Sequence, residues 1–249
     1  MEYFLGIDIG SSSIKVALVE VVTGKSAALV QEPEDEMGML AVENGWAEQD
    51  PEEWWALACK AIKRAKKEAN ISRTQIKGIG ISYQMHGLVL VDEKGSLLRK
   101  SIIWCDSRAV EIGKTAYEEI GAEKCDRELL NSPANFTASK LKWVRENEPD
   151  LYGRIKKFML PGDYIAYRFT GKINTTISGL SEGVFWNFKN DEPASFLLEH
   201  LGISEDLIPE ITDTFGFQGE VNDRGEKESQ IAIGTPILYR AGDQPNNAL

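Results

Sequence analysis

A polar turn close to the N-terminus is the first group of residues that could do chemistry, in the stretch LGIDIGSSSIKVALVE. Apolar residues alternate on both sides of it, as in half-buried strands, so the stretch predicts a β-hairpin. The turn consists of Gly10, Ser11, Ser12 and Ser13. Its backbone N–H groups and hydroxyls, with Lys15 close by, could bind a phosphate, which prefers several donors and a positive charge. The Lys-Ser/Thr pair of a Walker A loop is missing, so an ordinary polar hairpin stays open as the alternative.

Asp8 stands in the middle of the first apolar strand. A carboxylate in such a strand is costly unless it is paired, hydrated or close to a metal ion. A Mg²⁺ held between Asp8 and a nucleotide phosphate would account for its position. We therefore treat Asp8 as a candidate metal ligand, with a strand-edge position as the alternative.

A second candidate group is Gln84, Met85 and His86, which lie where one predicted strand ends and the next begins. The chain has only two histidines. A lone histidine is more often packed or on the surface than catalytic, so for His86 both interpretations are open. We interpret His200, on a helical segment, as a packed or surface residue.

The third candidate is Asp243, close to the end of the sequence. It follows a predicted strand over Ile237–Tyr239, and Pro245 could begin the next helix. An aspartate that leaves a strand just before a helix is well placed to act as a base near a phosphate. A plain helix N-cap is the alternative.

Alternating strands and helices must position these three groups. Further strands are predicted from Ile79 to Tyr83, from Leu88, and up to Trp104. Helices are predicted from Asp50 and Pro51, near Asp106, over Thr137–Asn147, from Asp163, and up to Gly202. The Ser/Thr/Gly-rich run from Asn174 to Phe188 is predicted to be a loop leading into a short strand. This order predicts an α/β domain with a mixed β-sheet.

Composition excludes several classes of protein. The chain has 249 residues, with 42% hydrophobic and 27% charged residues, as is ordinary for a soluble protein that can bury a core. The net charge of −11 argues against nucleic-acid or membrane partners. The three cysteines, Cys59, Cys105 and Cys125, are too few and too widely spaced for a metal cluster or a disulfide framework. With no signal peptide and no long apolar run, we expect a cytoplasmic protein.

Taken together, the motifs resemble the FGGY carbohydrate kinases, and within that family the xylulokinases. The matching stretches cover nearly the whole chain in the family's order: GIDIGSSSIK, WAEQDPEEWW, GIGISYQMHGLVLVD, IIWCDSRA, LPGDYIAYRFTG and AGDQPNNAL. The resemblance implies a ribonuclease-H-like lobe of the actin-like ATPase superfamily, with a mixed sheet flanked by helices. It also implies that residues 1–249 form the N-terminal, sugar-binding lobe, and that the C-terminal lobe for adenine and ribose is absent from this chain.

The resemblance further implies an enzyme that transfers the γ-phosphoryl group of MgATP to a ketose, for xylulokinases converting D-xylulose to D-xylulose 5-phosphate. By position, Asp243 matches the catalytic base and Asp8 the carboxylate near the metal. The phosphate-binding group would be Gly10, Ser11, Ser12, Ser13 and Lys15. The sugar-binding group would be Gln84, Met85, His86, Trp104, Asp106, Arg108 and Gln244. The expected ligands are therefore a ketose, ATP and Mg²⁺.

The chain departs from the family pattern at several positions. Arg240 stands before the candidate base, and Pro245, Asn246 and Asn247 follow it, where many relatives have small residues. Thr176 stands where relatives often have an aspartate. These departures leave other acceptors open, namely ribulose, a deoxyketose or glycerol, although the QMHG stretch argues against glycerol. A non-catalytic sugar-binding module and a homodimer are also open. The isolated lobe is expected to be inactive.

Overall fold

The computed structural model describes residues 1–248. The strands are β1 (Tyr3–Ile9), β2 (Ile14–Glu20), β3 (Ser26–Glu32), β4 (Glu48–Gln49), β5 (Ile76–Tyr83), β6 (Val89–Val91), β7 (Ser101–Ile102), β8 (Lys157–Met159), β9 (Asn174–Thr176), β10 (Trp186–Asn187), β11 (Glu192–Pro193), β12 (Glu210–Thr212), β13 (Phe215–Glu220) and β14 (Pro236–Gly242). The α-helices are α1 (Pro51–Glu68), α2 (Val110–Ile120), α3 (Ala122–Glu128), α4 (Thr137–Asn147), α5 (Pro149–Tyr152), α6 (Pro161–Thr170), α7 (Ile177–Glu182), α8 (Ser195–Leu201), α9 (Asp223–Ser229) and α10 (Asp243–Asn247).

A six-stranded mixed sheet in the order β13-β14-β5-β1-β2-β3 forms the centre of the fold. β1, β2 and β3 form an antiparallel meander, which confirms the predicted hairpin and sets Asp8 opposite Lys15. β5 lies parallel to β1, and β14 lies parallel to β5. The carboxyl ends of these three parallel strands therefore meet at one edge of the sheet, where ligands bind in open α/β sheets.

A layer of helices covers one face of this sheet. α1 begins because the Asp50 carboxylate accepts a hydrogen bond from the Glu52 backbone N–H at 2.9 Å, and because Pro51 suits a first turn. The buried side of α1, including Trp54 and Ile62, packs on β2 and β3. α6 packs beside it on β5 and β14, and α9 packs on both helices. The predicted α/β fold with a mixed sheet and flanking helices is confirmed.

The opposite face of the sheet carries exposed apolar side chains. Phe4, Leu29 and Phe215 are exposed there, and Phe215 stacks on Tyr239 with ring centroids 4.8 Å apart. We call these four residues the open sheet face.

Residues between β5 and β14 build a second core beside the sheet. Apolar side chains of α2, α3, α4, α7 and α8 share this core, including Leu141, Val144 and Leu180. The predicted helix over Thr137–Asn147 is confirmed as α4, and Gly202 ends α8 in a left-handed conformation, as expected of a C-cap glycine. All three cysteines are free. Across residues 1–248, every helix is too short or too polar to serve as a membrane span.

Several predicted boundaries differ from the structure. The run from Asn174 to Phe188 is predicted to be a loop leading into a short strand; β10 corresponds to that strand, whereas the loop part contains β9 and α7. Thr176 starts α7 by accepting a hydrogen bond from the Gly179 N–H at 3.1 Å, and the buried Leu180 anchors the helix, so tertiary packing overrides a loop-like composition. The helix predicted from Asp163 begins at Pro161, and the helix predicted from Pro245 begins at Asp243.

The helix predicted near Asp106 begins only at Val110. The carboxylate of Asp106 is occupied in a tight turn, where it accepts a hydrogen bond from the Arg108 backbone N–H at 2.9 Å. The preceding strand, predicted to end at Trp104, is β7 over Ser101–Ile102.

Candidate active site

A cavity of about 200 Å³ lies at the carboxyl ends of β5 and β14. Six of the residues singled out from the sequence line it, from three separate stretches of the chain: Gln84, Met85, His86, Trp104, Asp243 and Gln244. Parallel pairing of β5 with β14 brings the first and last of these stretches together, because Tyr83 and Gly242 are paired in the register and each strand ends there.

Asp243 is the first residue of α10 and half-buried at the cavity. Its carboxylate accepts a hydrogen bond from the Gln244 N–H at 2.9 Å. Partial burial raises the pKa of Asp243 above its ordinary value, and the nearby carboxylate of Asp8 raises it further. A carboxylate with a raised pKa binds a proton more readily, which is the property a general base needs.

His86 is held in one orientation at the cavity. Its Nδ1 lies 2.9 Å from the backbone carbonyl oxygen of Glu182, and its ring packs edge-on against Phe136 at 4.4 Å. Burial lowers the pKa of His86 to about 4, and the charge of Lys140 acts in the same direction. The imidazole is therefore neutral near pH 7. Because a carbonyl only accepts, Nδ1 carries the proton and Nε2 is left as an acceptor.

Gln84 and Gln49 connect the cavity to the hairpin. The Gln84 backbone N–H donates to the Ile9 carbonyl at 2.8 Å, and its side-chain Nε2 donates to Gln49 Oε1 at 3.3 Å. Gln49 Nε2 in turn donates to the Ser11 carbonyl at 2.6 Å. The Oε1 atom of Gln84 is buried without a hydrogen-bond partner among the described residues, so it can accept one from a ligand.

The Gly10–Ser13 turn lies beside the cavity. Trp104 Nε1 donates to the Ser11 hydroxyl at 3.1 Å, which joins the two groups directly. The Gly10 N–H closes the turn on the Ser13 carbonyl at 3.1 Å, and a side chain at Gly10 would crowd that same oxygen. Ser13 is buried, while Lys15 is half-exposed with its Nζ 3.6 Å from Asp8 Oδ2.

Asp8 is suited to hold a metal ion jointly with the phosphates of a bound nucleotide. Within residues 1–248 no three acidic, histidine or cysteine side chains converge on one point that could hold a metal ion. Mg²⁺ in phosphoryl-transfer sites typically uses one or two carboxylates together with substrate phosphates and water. The carboxylate of Asp8 is partly exposed and lies close enough to Asp243 to raise the pKa of Asp243, so it fits that donor set.

Asp106 and Arg108 lie outside the lining of the cavity, in contrast to the expectation that they line the sugar pocket. Both side chains are buried, and Arg108 donates to Asp106 Oδ2 at 2.7 Å. The Ala47 N–H also donates to Asp106 at 2.6 Å, and the Arg108 guanidinium lies 3.8 Å from the ring centroid of Trp46. These contacts engage most polar atoms of the pair, and Arg108 Nη1 has no hydrogen-bond partner among the described residues, so the sugar-binding role of Asp106 and Arg108 stays a prediction.

Glu182 is a buried acid that sequence reasoning missed. It ends α7, and its side chain lies against the backbone of Gly242, since a side chain at Gly242 would collide with Glu182 Oε2 and with Met85. Both of its carboxyl oxygens are buried without a hydrogen-bond partner among the described residues. Burial raises the pKa of Glu182 well above its ordinary value, and the carboxylates of Asp163 and Asp243 add to this.

Comparison with known proteins places this geometry in a family. The FGGY family of carbohydrate kinases, N-terminal domain, matches residues 3–249. The chain belongs to this family. It is 32% identical over 221 residues to a xylulose kinase of Bacillus subtilis (strain 168), covering 89% of this chain and 44% of that protein. It is 31% identical over 250 residues to a xylulose kinase of Staphylococcus xylosus, covering 100% of this chain and 50% of that protein.

A solved structure shows the same FGGY fold. A xylulose kinase from Rhodospirillum rubrum matches with a TM-score of 0.91 at 24% identity, over 99% of this chain and 50% of that chain. The fold is therefore the ribonuclease-H-like fold of the actin-like ATPases. The chain spans about half the length of the curated relatives it matches.

Two departures from the FGGY pattern have structural explanations. Arg240 is fully buried, with Nε 2.9 Å from Asp163 Oδ1, and it donates to the carbonyl and side-chain oxygens of Asn174 at 3.2 and 3.1 Å. It thereby ties β14 to α6 and β9 just before Asp243. Thr176 is buried as the N-cap of α7. Both residues support the elements around the site and lie outside the lining of the cavity.

Proposed function

We propose that this chain is the sugar-binding lobe of a kinase that phosphorylates a ketose with ATP, converting D-xylulose to D-xylulose 5-phosphate. The observation that carries the proposal is the cavity in which Asp243 and His86 converge beside the Gly10–Ser13 turn. It offers a base, sugar-binding groups and phosphate-binding groups in one place. Relatives named xylulose kinase support the choice of D-xylulose among the ketoses.

The sugar would bind through its hydroxyl groups. His86 Nε2 and Gln84 Oε1 are acceptors, and Gln244 adds an amide at the same cavity. A site whose buried polar atoms need partners discriminates strongly against ligands that lack the matching hydroxyls. Trp104, half-exposed, presents an aromatic face to the C–H groups of the ligand.

Asp243 would accept the proton of the reacting sugar hydroxyl as the hydroxyl oxygen attacks the γ-phosphorus of ATP. The bond from that phosphorus to the β,γ-bridging oxygen would break, and ADP would leave. Phosphoryl transfer depends mainly on alignment and on neutralising charge. The N–H groups and hydroxyls of the Gly10–Ser13 turn and the ammonium of Lys15 would stabilise the phosphate oxygens. Asp8 would hold Mg²⁺, which supplies further charge neutralisation when it is bound.

We further propose that adenine and ribose are bound by a second, C-terminal lobe, as the family resemblance implies. Closure of the two lobes would exclude water from the γ-phosphate and so prevent wasteful hydrolysis of ATP. The proposal places the protein in the cytoplasm, which agrees with three free cysteines.

A substrate panel tests the proposed function. The enzyme with both lobes, called here the lobe-complete enzyme, is given MgATP with D-xylulose, D-ribulose, a deoxyketose or glycerol. Formation of each phosphorylated product is measured. The highest kcat/KM is expected with D-xylulose. Preference for another acceptor would overturn the assignment of the sugar, and sugar binding without any product would indicate a non-catalytic binding module.

A further inference from the structure

Lys140 is a lysine buried in the second core, with an exposed fraction of 0%. Its ammonium donates to the backbone carbonyl of His86 at 2.8 Å and to that of Ile103 at 3.0 Å. Its acidic neighbour Asp106 is bound instead by Arg108 and by the Ala47 N–H. Placing an ammonium group in a protein interior is costly. A buried lysine whose ammonium donates only to two backbone carbonyls therefore requires an explanation.

The two carbonyls belong to the two chain segments that flank the cavity. His86 lines the cavity itself, and Ile103 immediately precedes Trp104, which lies just after β7 and also lines the cavity. His86 also has a φ of +61°, a left-handed conformation that is unfavourable for a residue other than glycine. A charge-assisted hydrogen bond to its carbonyl stabilises that conformation.

The charge of Lys140 also acts on the His86 ring. Burial lowers the pKa of Lys140 to about 8, so the amine is still mostly protonated at neutral pH. Its positive charge in turn helps to lower the pKa of His86. Two other residues with ionisable side chains lie around the ring: Asp243 lines the same cavity, and Glu182 supplies the carbonyl that holds Nδ1, while Phe136 packs against the ring.

We propose that Lys140 is a positioning residue of the sugar site, which fixes the backbone at His86 and Ile103 and so orients the side chains of His86 and Trp104 toward the ligand. This inference rests on the proposed function, since it assumes that the cavity binds a sugar. Lys140 itself does not line the cavity, so its proposed role is carried out through His86 and Trp104.

The test uses Lys140→Met with Lys142→Met as the matched control. Lys142 lies on the same helix but is bound to Glu146 at 2.9 Å near the surface. NMR of the histidine ring nitrogens reports on two residues only, and His200, which lies on α8 beside Glu119, serves as an internal reference in Lys140→Met. D-xylulose binding is measured by calorimetry on the same samples.

In Lys140→Met we expect the His86 ring signals to shift and the pKa of His86 to rise by about one unit, because a like charge has been removed. The dissociation constant for D-xylulose should rise on the order of tenfold, as for loss of a hydrogen bond to a charged group. His200 should be unchanged in Lys140→Met, and Lys142→Met should match the wild type in its His86 signals and sugar affinity, although Lys142 and His200 line one surface cavity. If Lys140→Met does not fold, Lys140→Arg keeps a charge and donors, and should retain a low His86 pKa and most of the sugar affinity.

Two results would overturn the inference. One is an unchanged His86 signal in Lys140→Met, and the other is a shifted His86 signal with unchanged sugar affinity. If the wild-type chain binds no sugar while Lys140→Met still shifts the His86 signals, sugar binding is measured on the enzyme with both lobes; no binding there would refute the proposed function, while the effect of Lys140 on His86 would stand.

Discussion

At the scale of single residues, Asp243 is the residue on which the proposed chemistry depends. Asp243→Asn keeps the shape of the side chain and removes the basic oxygen, so we expect phosphorylation by the lobe-complete enzyme to fall by about 10²–10⁴. Sugar binding should survive, because the amide still fits the cavity. A coupled kinase assay and calorimetry measure the two effects. If the mutant retained more than about a tenth of the wild-type rate, Asp243 would not be the general base.

Glu182 gives a residue-scale prediction about stability and pH. Its pKa in the folded protein is raised above the unfolded value of about 4.3, so the stability it contributes is present below that pH and is lost as pH rises toward the folded pKa. Gln cannot titrate. Glu182→Gln should therefore gain stability relative to the wild type with increasing pH, by up to about 1.4 kcal/mol per unit within that window.

Denaturant unfolding at about pH 5 and about pH 8 checks this prediction, since both values lie above the unfolded pKa. Glu199→Gln, at an exposed position of α8, is the control and should show no such trend. A stability difference between Glu182→Gln and the wild type that stays constant with pH would mean that Glu182 is ionised in the folded protein.

At the scale of elements, α7 carries the residue that orients His86, because the Glu182 carbonyl lies at its last turn. The helix begins at the hydroxyl of Thr176. Thr176→Ala removes this cap and should lower the free energy of unfolding by about 0.5–2 kcal/mol. Thr176→Ser keeps the hydroxyl and should recover much of that loss. Equal losses for both variants, measured by denaturant unfolding, would assign the effect to the methyl group.

At the scale of the whole molecule, the proposed two-lobed enzyme predicts that the 249-residue chain alone does not turn over ATP. It holds the candidate base and the hairpin, but alignment of the γ-phosphate would require the second lobe. Loss of positioning can remove roughly 7–11 kcal/mol of barrier lowering. A product assay with MgATP and D-xylulose, with and without separately expressed C-terminal lobe, tests this. Steady turnover by the chain alone would place the nucleotide site within these residues.

The open sheet face gives a second prediction at this scale. Leu29 on β3 is 71% exposed and Phe215 on β13 is 63% exposed, at the two edges of the sheet, and exposed apolar surface promotes association. We expect the chain to self-associate with increasing concentration, as measured by analytical ultracentrifugation, and Leu29→Lys to weaken that association. Val22→Lys, at an exposed apolar position outside the sheet, is the control. Equal effects of both substitutions would show that net charge, rather than this face, controls association.

Local pattern was enough to predict the α/β class, the first hairpin, α4 and the end of α8. These elements follow from apolar periodicity and from caps such as Asp50 and Gly202, which act over a few neighbouring residues. The same local signals marked Asp8, His86 and Asp243, because a carboxylate or a histidine at a strand end is visible without knowing what lies opposite.

Only the tertiary structure decided what each of these residues faces. The family resemblance predicts that Asp106 and Arg108 line the sugar pocket, and the structure shows that their side chains pair with each other in the interior. Lys140 and Glu182 look like ordinary helix positions, yet one lies beneath the His86 carbonyl and the other against Gly242. The physical reason is that burial and pairing arise between residues far apart in the chain, and the energy of a buried charge depends on those partners rather than on its sequence neighbours.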